Sequence, residues 1–154
     1  MSKPNAAIYL DQNNIFFRYK KLDFKKILDI VSEQFTIDTA TTYMALDNKQ
    51  DAQKKFVTYM SNNGWKCKTV DISINTNIDV ILAGDMINEH HVKPTDWVIL
   101  ISGDGDYTPI LEILSVRGTK VMVIGAKDYI SLDLLKIANQ VLYIEDIVDK
   151  VILD

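Results

Sequence analysis

At 154 residues and 47% hydrophobic, the chain suits one domain, residues 1–154, with a core of useful size. It has no apolar run long enough to span a bilayer, and a net charge of −4 with a pI of about 5.1 excludes a generally basic nucleic-acid binder. The single cysteine, Cys67, rules out an intrachain disulfide, and with no signal-peptide core at the N-terminus a cytoplasmic protein is expected.

Ala6–Leu10 reads as a first buried strand that ends at Asp11-Gln12-Asn13-Asn14. These four residues are either an Asx-turn that terminates the strand or a polar cluster on a ligand-binding edge. Arg18, Lys20, Lys21, Lys25 and Lys26 hold five of the 17 basic residues, interleaved with Phe17 and Tyr19. That mixture fits a charged groove with a stacking platform, or a solvated loop and helix face. Asp23 is placed to cap a helix through Phe35, because Phe24, Ile27, Leu28, Val31 and Phe35 follow helical spacing. Thr39–Leu46 reads as a second strand. Asp47 or Asn48 then caps a helix to about Asn62, with Phe56, Tyr59 and Met60 on its apolar side. Asn63-Gly64 stops that helix and Trp65–Ile72 is a third strand, in which Cys67 is expected to be a small buried hydrophobe.

Asn75-Thr76-Asn77 is a polar turn with capping residues, and Ile78–Ile87 reads as a largely buried helix. Asp79 falls in its first turn, where an acid suits the helix dipole, yet so apolar a setting asks for a partner. Asp85, six positions on, lies ~120° away around the helix, so the two acids cannot share one narrow face. Asp85 is therefore assigned a structural or supporting place. His90-His91 closes the helix, and adjacent histidines point apart and do not chelate an ion.

Val98–Ile101 is an unbroken apolar run, the pattern of a strand covered on both faces. Ser102-Gly103-Asp104-Gly105-Asp106 follows, with two glycines that permit a tight turn and clear side chains from the approach. Thr108-Pro109 reads as an N-cap and first helical residue, and the helix through Leu114 ends at Gly118. Lys120–Ile124 is a fifth strand, Tyr129–Ala138 a helix and Val141–Ile144 a short edge strand. The tail, 146–154, reads as a surface helix.

Strands alternate with helices throughout, which predicts an α/β chain: a Rossmann-like three-layer α/β/α sandwich around a parallel sheet with right-handed crossovers. Asp11, Asp79, Asp104 and Asp106 reach one edge if the first and fourth strands are neighbours, as in the order 3-2-1-4-5, with a sixth strand as an optional edge. Clustered carboxylates repel one another unless a cation intervenes. Oxygen ligands on a turn suit Mg²⁺ or Mn²⁺, and the lack of a Cys/His set argues against structural zinc. Such a site suits metal-assisted hydrolysis of a phosphodiester.

The same residues carry a resemblance. Asp11-x-x-Asn14, Ile78-Asp79-Val80 with Ala83 and Asp85, Ser102-Gly103-Asp104-Gly105-Asp106-Tyr107-Thr108-Pro109, and Gly118-x-Lys120-Val121 resemble the NYN domain, a PIN-like nuclease family, in its bacterial LabA-like branch. The likeness spans roughly residues 6–145, and its Ser-Gly-Asp-x-Asp-aromatic-x-Pro segment is the most specific piece. It implies a PIN-like fold, a divalent metal, and endoribonuclease activity on single-stranded or structured RNA. Asp11, Asp79, Asp104 and Asp106 would be the catalytic, metal-binding acids, and Asn14 and Ser102 the groups that orient acids, water or phosphate. Members often carry Lys-Gly just before the second Asp. Thr76-Asn77 stands there instead, so Arg18, Lys20 and Lys21 would supply the phosphate contact. Gln12 replaces the small residue usual after the first Asp. The alternative is a non-cleaving NYN-like module that regulates by binding RNA or a protein. A small-molecule phosphohydrolase is disfavoured, since no second acid follows Asp11 closely and no P-loop is present. The oligomeric state stays open, with a homodimer among the options.

Overall fold

The computed structural model describes residues 2–16, 22–47, 49–73 and 77–151. In chain order the elements are β1 (Asn5–Asp11), α1 (Gln12–Phe16), α2 (Phe24–Gln34), β2 (Thr36–Leu46), α3 (Asp51–Asn62), β3 (Lys66–Asp71), α4 (Ile78–Val92) and β4 (Trp97–Ile101). A 3₁₀ turn (Gly105–Tyr107) leads into α5 (Thr108–Val116), followed by β5 (Lys120–Gly125), a second 3₁₀ turn (Lys127–Tyr129), α6 (Leu132–Ile137), β6 (Gln140–Tyr143) and α7 (Ile144–Val151).

The six strands form one parallel sheet in the order β3-β2-β1-β4-β5-β6, so the edge-strand option is realised. The central strand β1 is flanked by β2 and β4, with Ile8 opposite Ala40 on one side and Ile99 on the other. The chain therefore reverses its direction of travel across the sheet between β1 and β4, which opens a crevice at their carboxyl ends.

Alternation along the strands divides the core into two layers. Ala6, Ile8 and Leu10 join Ile99, Ile101, Met122 and Ile124 in packing against Phe24, Ile27 and Val31 of α2 and Ile144 and Ile147 of α7. Ala7 and Tyr9, with Val98, Leu100, Val121 and Val123, pack against Leu82 and Met86 of α4, Leu111 and Leu114 of α5 and Leu134 of α6. Helices thus cover both faces, which is why these strands read as continuous apolar runs. Trp65 pins α2 to the third strand, its indole N–H donating to the Phe24 carbonyl at 3.2 Å. No helix among the described residues is long and apolar enough to cross a membrane.

The structure departs from the sequence reading in several places. Residues 11–14 are no isolated turn, because β1 runs straight into α1. β2 begins at Thr36. α3 starts at Asp51 behind Gln50, which makes no side-chain capping bond, while the Asp47 carboxylate is taken up by the Lys49 backbone N–H and the Gln50 amide. α4 buries a single stripe, Ile78, Leu82, Met86 and His90, and leaves Val80 67% exposed, so it is a half-covered helix. The expected helix over 129–138 is shorter, since Ser131 caps α6 by accepting from the Asp133 N–H. Cys67 is only half-buried.

Candidate metal centre

Three elements deliver acids to the crevice. Asp11 is the last residue of β1, on the face that also carries Tyr9, and it is only 4% exposed. Asp79 is the second residue of α4, whose N-cap Asn77 accepts the Asp79 backbone N–H at 2.9 Å. Asp104 follows β4 and caps the 3₁₀ turn, accepting the Asp106 N–H at 2.9 Å. Thr108, expected as the cap of α5, is instead its first residue behind Tyr107 at the N-cap, and its hydroxyl has no partner among the described residues. Because β1 and β4 pair in register, Leu10 opposite Ile101, the Asp11 and Asp104 segments leave the sheet side by side. One carboxylate oxygen each from Asp11, Asp79 and Asp104 lies within 4.8 Å of the other two.

The shell around these acids is made of neutral hydroxyls and amides. Ser102, fully buried, donates its hydroxyl to Asp11 Oδ2 at 3.2 Å and accepts the Asp104 N–H at 3.1 Å, so one side chain ties two of the acids together. Asn14 Oδ1 accepts the Gly103 N–H at 3.0 Å, clamping the start of α1 to the turn after β4. Tyr107, a residue the sequence reading did not assign to the site, places its hydroxyl 3.2 Å from Asp11 Oδ2 and 3.1 Å from Asp79 Oδ1. Burial, followed by the Asp11 and Asp79 charges, pushes its phenol far above the ordinary tyrosine range, so it stays a proton donor shared by the two acids. The only sequence signal for it was the aromatic residue inside the Ser-Gly-Asp-x-Asp motif.

Asp11 carries the electrostatic consequence. Burial first, and the neighbouring Asp79 charge second, push its carboxyl up to about 6 against the bonds from Ser102, Asn14 and Tyr107 that pull it down. A cation between the acids would reverse that shift. Three carboxylate oxygens, one from a buried residue and two from half-buried ones, form the hard, all-oxygen donor set that fits a divalent ion such as Mg²⁺ or Mn²⁺.

The expected fourth acid does not join this group. Asp106 is exposed at the rim, where it lines an open groove of about 720 Å³ with Glu112 of α5 and Asp133 and Lys136 of α6. Two residues along a 3₁₀ turn of about three residues per turn separate it from Asp104 by roughly two-thirds of a turn, which sends the two carboxylates in different directions. Asp85 faces elsewhere along α4, where its carboxylate accepts from the Tyr43 hydroxyl at 2.7 Å and the Lys68 ammonium at 2.5 Å. Arg18, Lys20, Lys21 and Thr76 lie outside the described residues.

The sequence matches the NYN domain family over residues 5–145, most of the chain. The chain belongs to the NYN domain family. Among curated relatives of this NYN domain, the Low amplitude and bright protein LabA of Synechococcus elongatus is 25% identical over 159 aligned residues, covering 92% of this chain and 84% of LabA. An uncharacterized protein of Methanocaldococcus jannaschii is 29% identical over 138 residues, and the NYN domain spans 54% of its length. In three dimensions the NYN domain is similar to a Vibrio parahaemolyticus protein of unknown function, known from its crystal structure, with a TM-score of 0.78, 24% identity and 97% of each chain covered. That likeness bears on the fold. Membership of a PIN-like nuclease family, together with three converging acids, supports nuclease-type chemistry for this NYN domain.

Proposed function

We propose that this NYN domain is a Mg²⁺- or Mn²⁺-dependent endoribonuclease that hydrolyses phosphodiester bonds of single-stranded or structured RNA. The observation that carries the reading is the meeting of Asp11, Asp79 and Asp104 at the crevice between β1 and β4. Asp11, Asp79 and Asp104 would hold the ion. When bound, it supplies an activated water as nucleophile and neutralises charge on the leaving oxygen. Ser102 and Tyr107 hold the acids in place, each donating to Asp11 and Tyr107 also to Asp79. Asn14 fixes the turn that presents Asp104. Asp106, on the open rim, would meet incoming substrate, and Arg18 and Lys20 are assigned to the RNA backbone.

The test is incubation of a labelled oligoribonucleotide with wild type and Asp104→Asn in Mg²⁺, in Mn²⁺ and with chelator. Metal-dependent cleavage by wild type alone is the expected result. Full activity of Asp104→Asn, with contaminating nuclease excluded, rejects the assignment. Tight RNA binding without cleavage in either metal favours the non-cleaving regulatory module, a reading motivated by Thr76-Asn77 and the acidic pI.

A further inference from the structure

The residue after the first acid of the site sits in an unusual state. Gln12 is only 3% exposed, and the Thr42 hydroxyl donates to its Oε1 at 3.1 Å. Its Nε2 is buried and has no hydrogen-bond partner among the described residues. A buried amide donor left unpaired is destabilising, so a fold retains one where something else satisfies it. Turning the amide over does not remove the problem, since one end would still face Thr42 and the other would still be unpaired.

Gln12 lines a cavity of about 280 Å³ at the carboxyl edge of the sheet, between the start of α1, the end of β2 and α3. Met44, Ala45 and Phe56 supply its apolar wall, and Gln50 and Gln53 add carboxamides. No charged side chain lines it among the described residues. Among the described residues, a phosphate or a cation would find no counter-charge there. A flat, neutral, hydrogen-bonding ring with apolar faces would fit. The placement gives that ring an identity. Asp11 ends β1 on the α4 side with the acids, while Gln12, the next residue and the first of α1, reaches Thr42 of β2 and the α3 side. The cavity therefore opens beside the acidic crevice across the sheet edge.

We infer that this cavity is a nucleobase subsite of the nuclease, in which Gln12 donates its free amide to a carbonyl oxygen of an RNA base unstacked beside the scissile phosphate. The inference rests on the RNA-cleaving reading and goes beyond it by naming a specificity residue. Single-stranded RNA is commonly read through splayed bases held against apolar or aromatic side chains and hydrogen-bonded along their edges. Because Oε1 is already engaged by Thr42, Gln12 presents a donor, which favours the exocyclic carbonyl of uracil or guanine over adenine, whose amino group at the matching place is itself a donor. Leaving the donor unpaired against the wrong base should cost on the order of tenfold in affinity.

The test begins with the unmodified protein. In chelator, uridine 5′-monophosphate is expected to shift the side-chain amide signals of Gln12 in an ¹H–¹⁵N spectrum, and adenosine 5′-monophosphate is expected to leave them in place. Short oligoribonucleotides differing at one base should bind with a roughly tenfold preference for uracil over adenine. Gln12→Leu, which keeps the bulk and removes the donor, should bring the two affinities together. Equal affinity for all bases in wild type, unmoved Gln12 signals with uridine 5′-monophosphate, or a preference that survives in Gln12→Leu would each overturn the inference. RNA cleaved without base preference sinks the subsite and leaves the nuclease standing. Base-selective binding without cleavage in Mg²⁺ or Mn²⁺ does the reverse.

Discussion

Asp11 links the fold to chemistry through its proton. Its ordinary pKa of 3.8 is raised to about 6 in the folded chain, so folding favours the protonated acid. Without metal its stabilising contribution is complete below pH 3.8 and is lost as pH rises through about 6. The full swing is about 3 kcal/mol at 1.36 kcal/mol per pKa unit. Asp11→Asn keeps an oxygen for Ser102 and Tyr107 to bond and cannot ionise. It is expected to raise the metal-free unfolding free energy near neutral pH by up to about 3 kcal/mol and to flatten stability between pH 4 and 6 in denaturant titrations. Cleavage should show the opposite pH trend, rising as Asp11 deprotonates, with the midpoint falling below 6 as metal concentration increases. Tyr107→Phe removes the hydroxyl shared by Asp11 and Asp79 without emptying the core. Loss of a group behind a metal ligand typically costs about 10–100-fold in affinity or activity. That is the loss expected in metal titration and in cleavage rate, with Asp104→Asn losing more and the exposed Asp106→Asn losing less.

At the scale of elements, the turn after β4 is shaped by its neighbours more than by its own conformation. Gly64 and Gly118 take positive φ, at helix ends, but Gly103 and Gly105 do not. Gly103 is there because the segment after β5 lies against it. A Cβ at that position would penetrate the Tyr129 carbonyl, and the Gly103 carbonyl accepts the Ser131 N–H at 3.0 Å. Gly103→Ala must move backbone, so it is expected to cost on the order of 3 kcal/mol and to loosen the Ser102 and Asn14 bonds that position Asp104. Gly105→Ala meets the rotatable Ser131 hydroxyl at 2.6 Å and should be milder. Gly84, exposed inside α4 with open space where a Cβ would stand, gives the contrast. Gly84→Ala should stabilise by about 0.5–1 kcal/mol through helix propensity. Chemical denaturation of the three variants checks the order, and a neutral Gly103→Ala would contradict the packing argument.

Taken as a whole molecule, the fold gathers like charges at the end of its most buried strand, an arrangement a bound cation would stabilise. A ligand that binds only the folded state adds about 2.7 kcal/mol at a hundredfold excess over its Kd. For a chain of this size each kcal/mol moves Tm by about 2–4 °C. Saturating Mg²⁺ or Mn²⁺ is therefore expected to raise Tm by roughly 5–10 °C in wild type and to have little effect on Asp104→Asn. A wild-type melting curve indifferent to both metals would leave the acids without the partner assigned to them.

The α/β alternation, the parallel sheet and the edge carrying Asp11 and Asp104 were legible in the sequence, because apolar periodicity and turn chemistry are local and each buried strand announces its own end. The meeting of Asp79 with those two was legible only on condition of a strand order, and the observed β1–β4 pairing meets that condition. What the tertiary structure alone decided is which atoms face each other. It set Asp106 on the rim, put Tyr107 rather than Thr108 at the N-cap of α5, brought the Tyr107 hydroxyl between two acids and buried the Gln12 amide without a partner among the described residues. Register, rotamer and the packing of segments distant in sequence settle such contacts, and none of these leaves a mark on residue spacing.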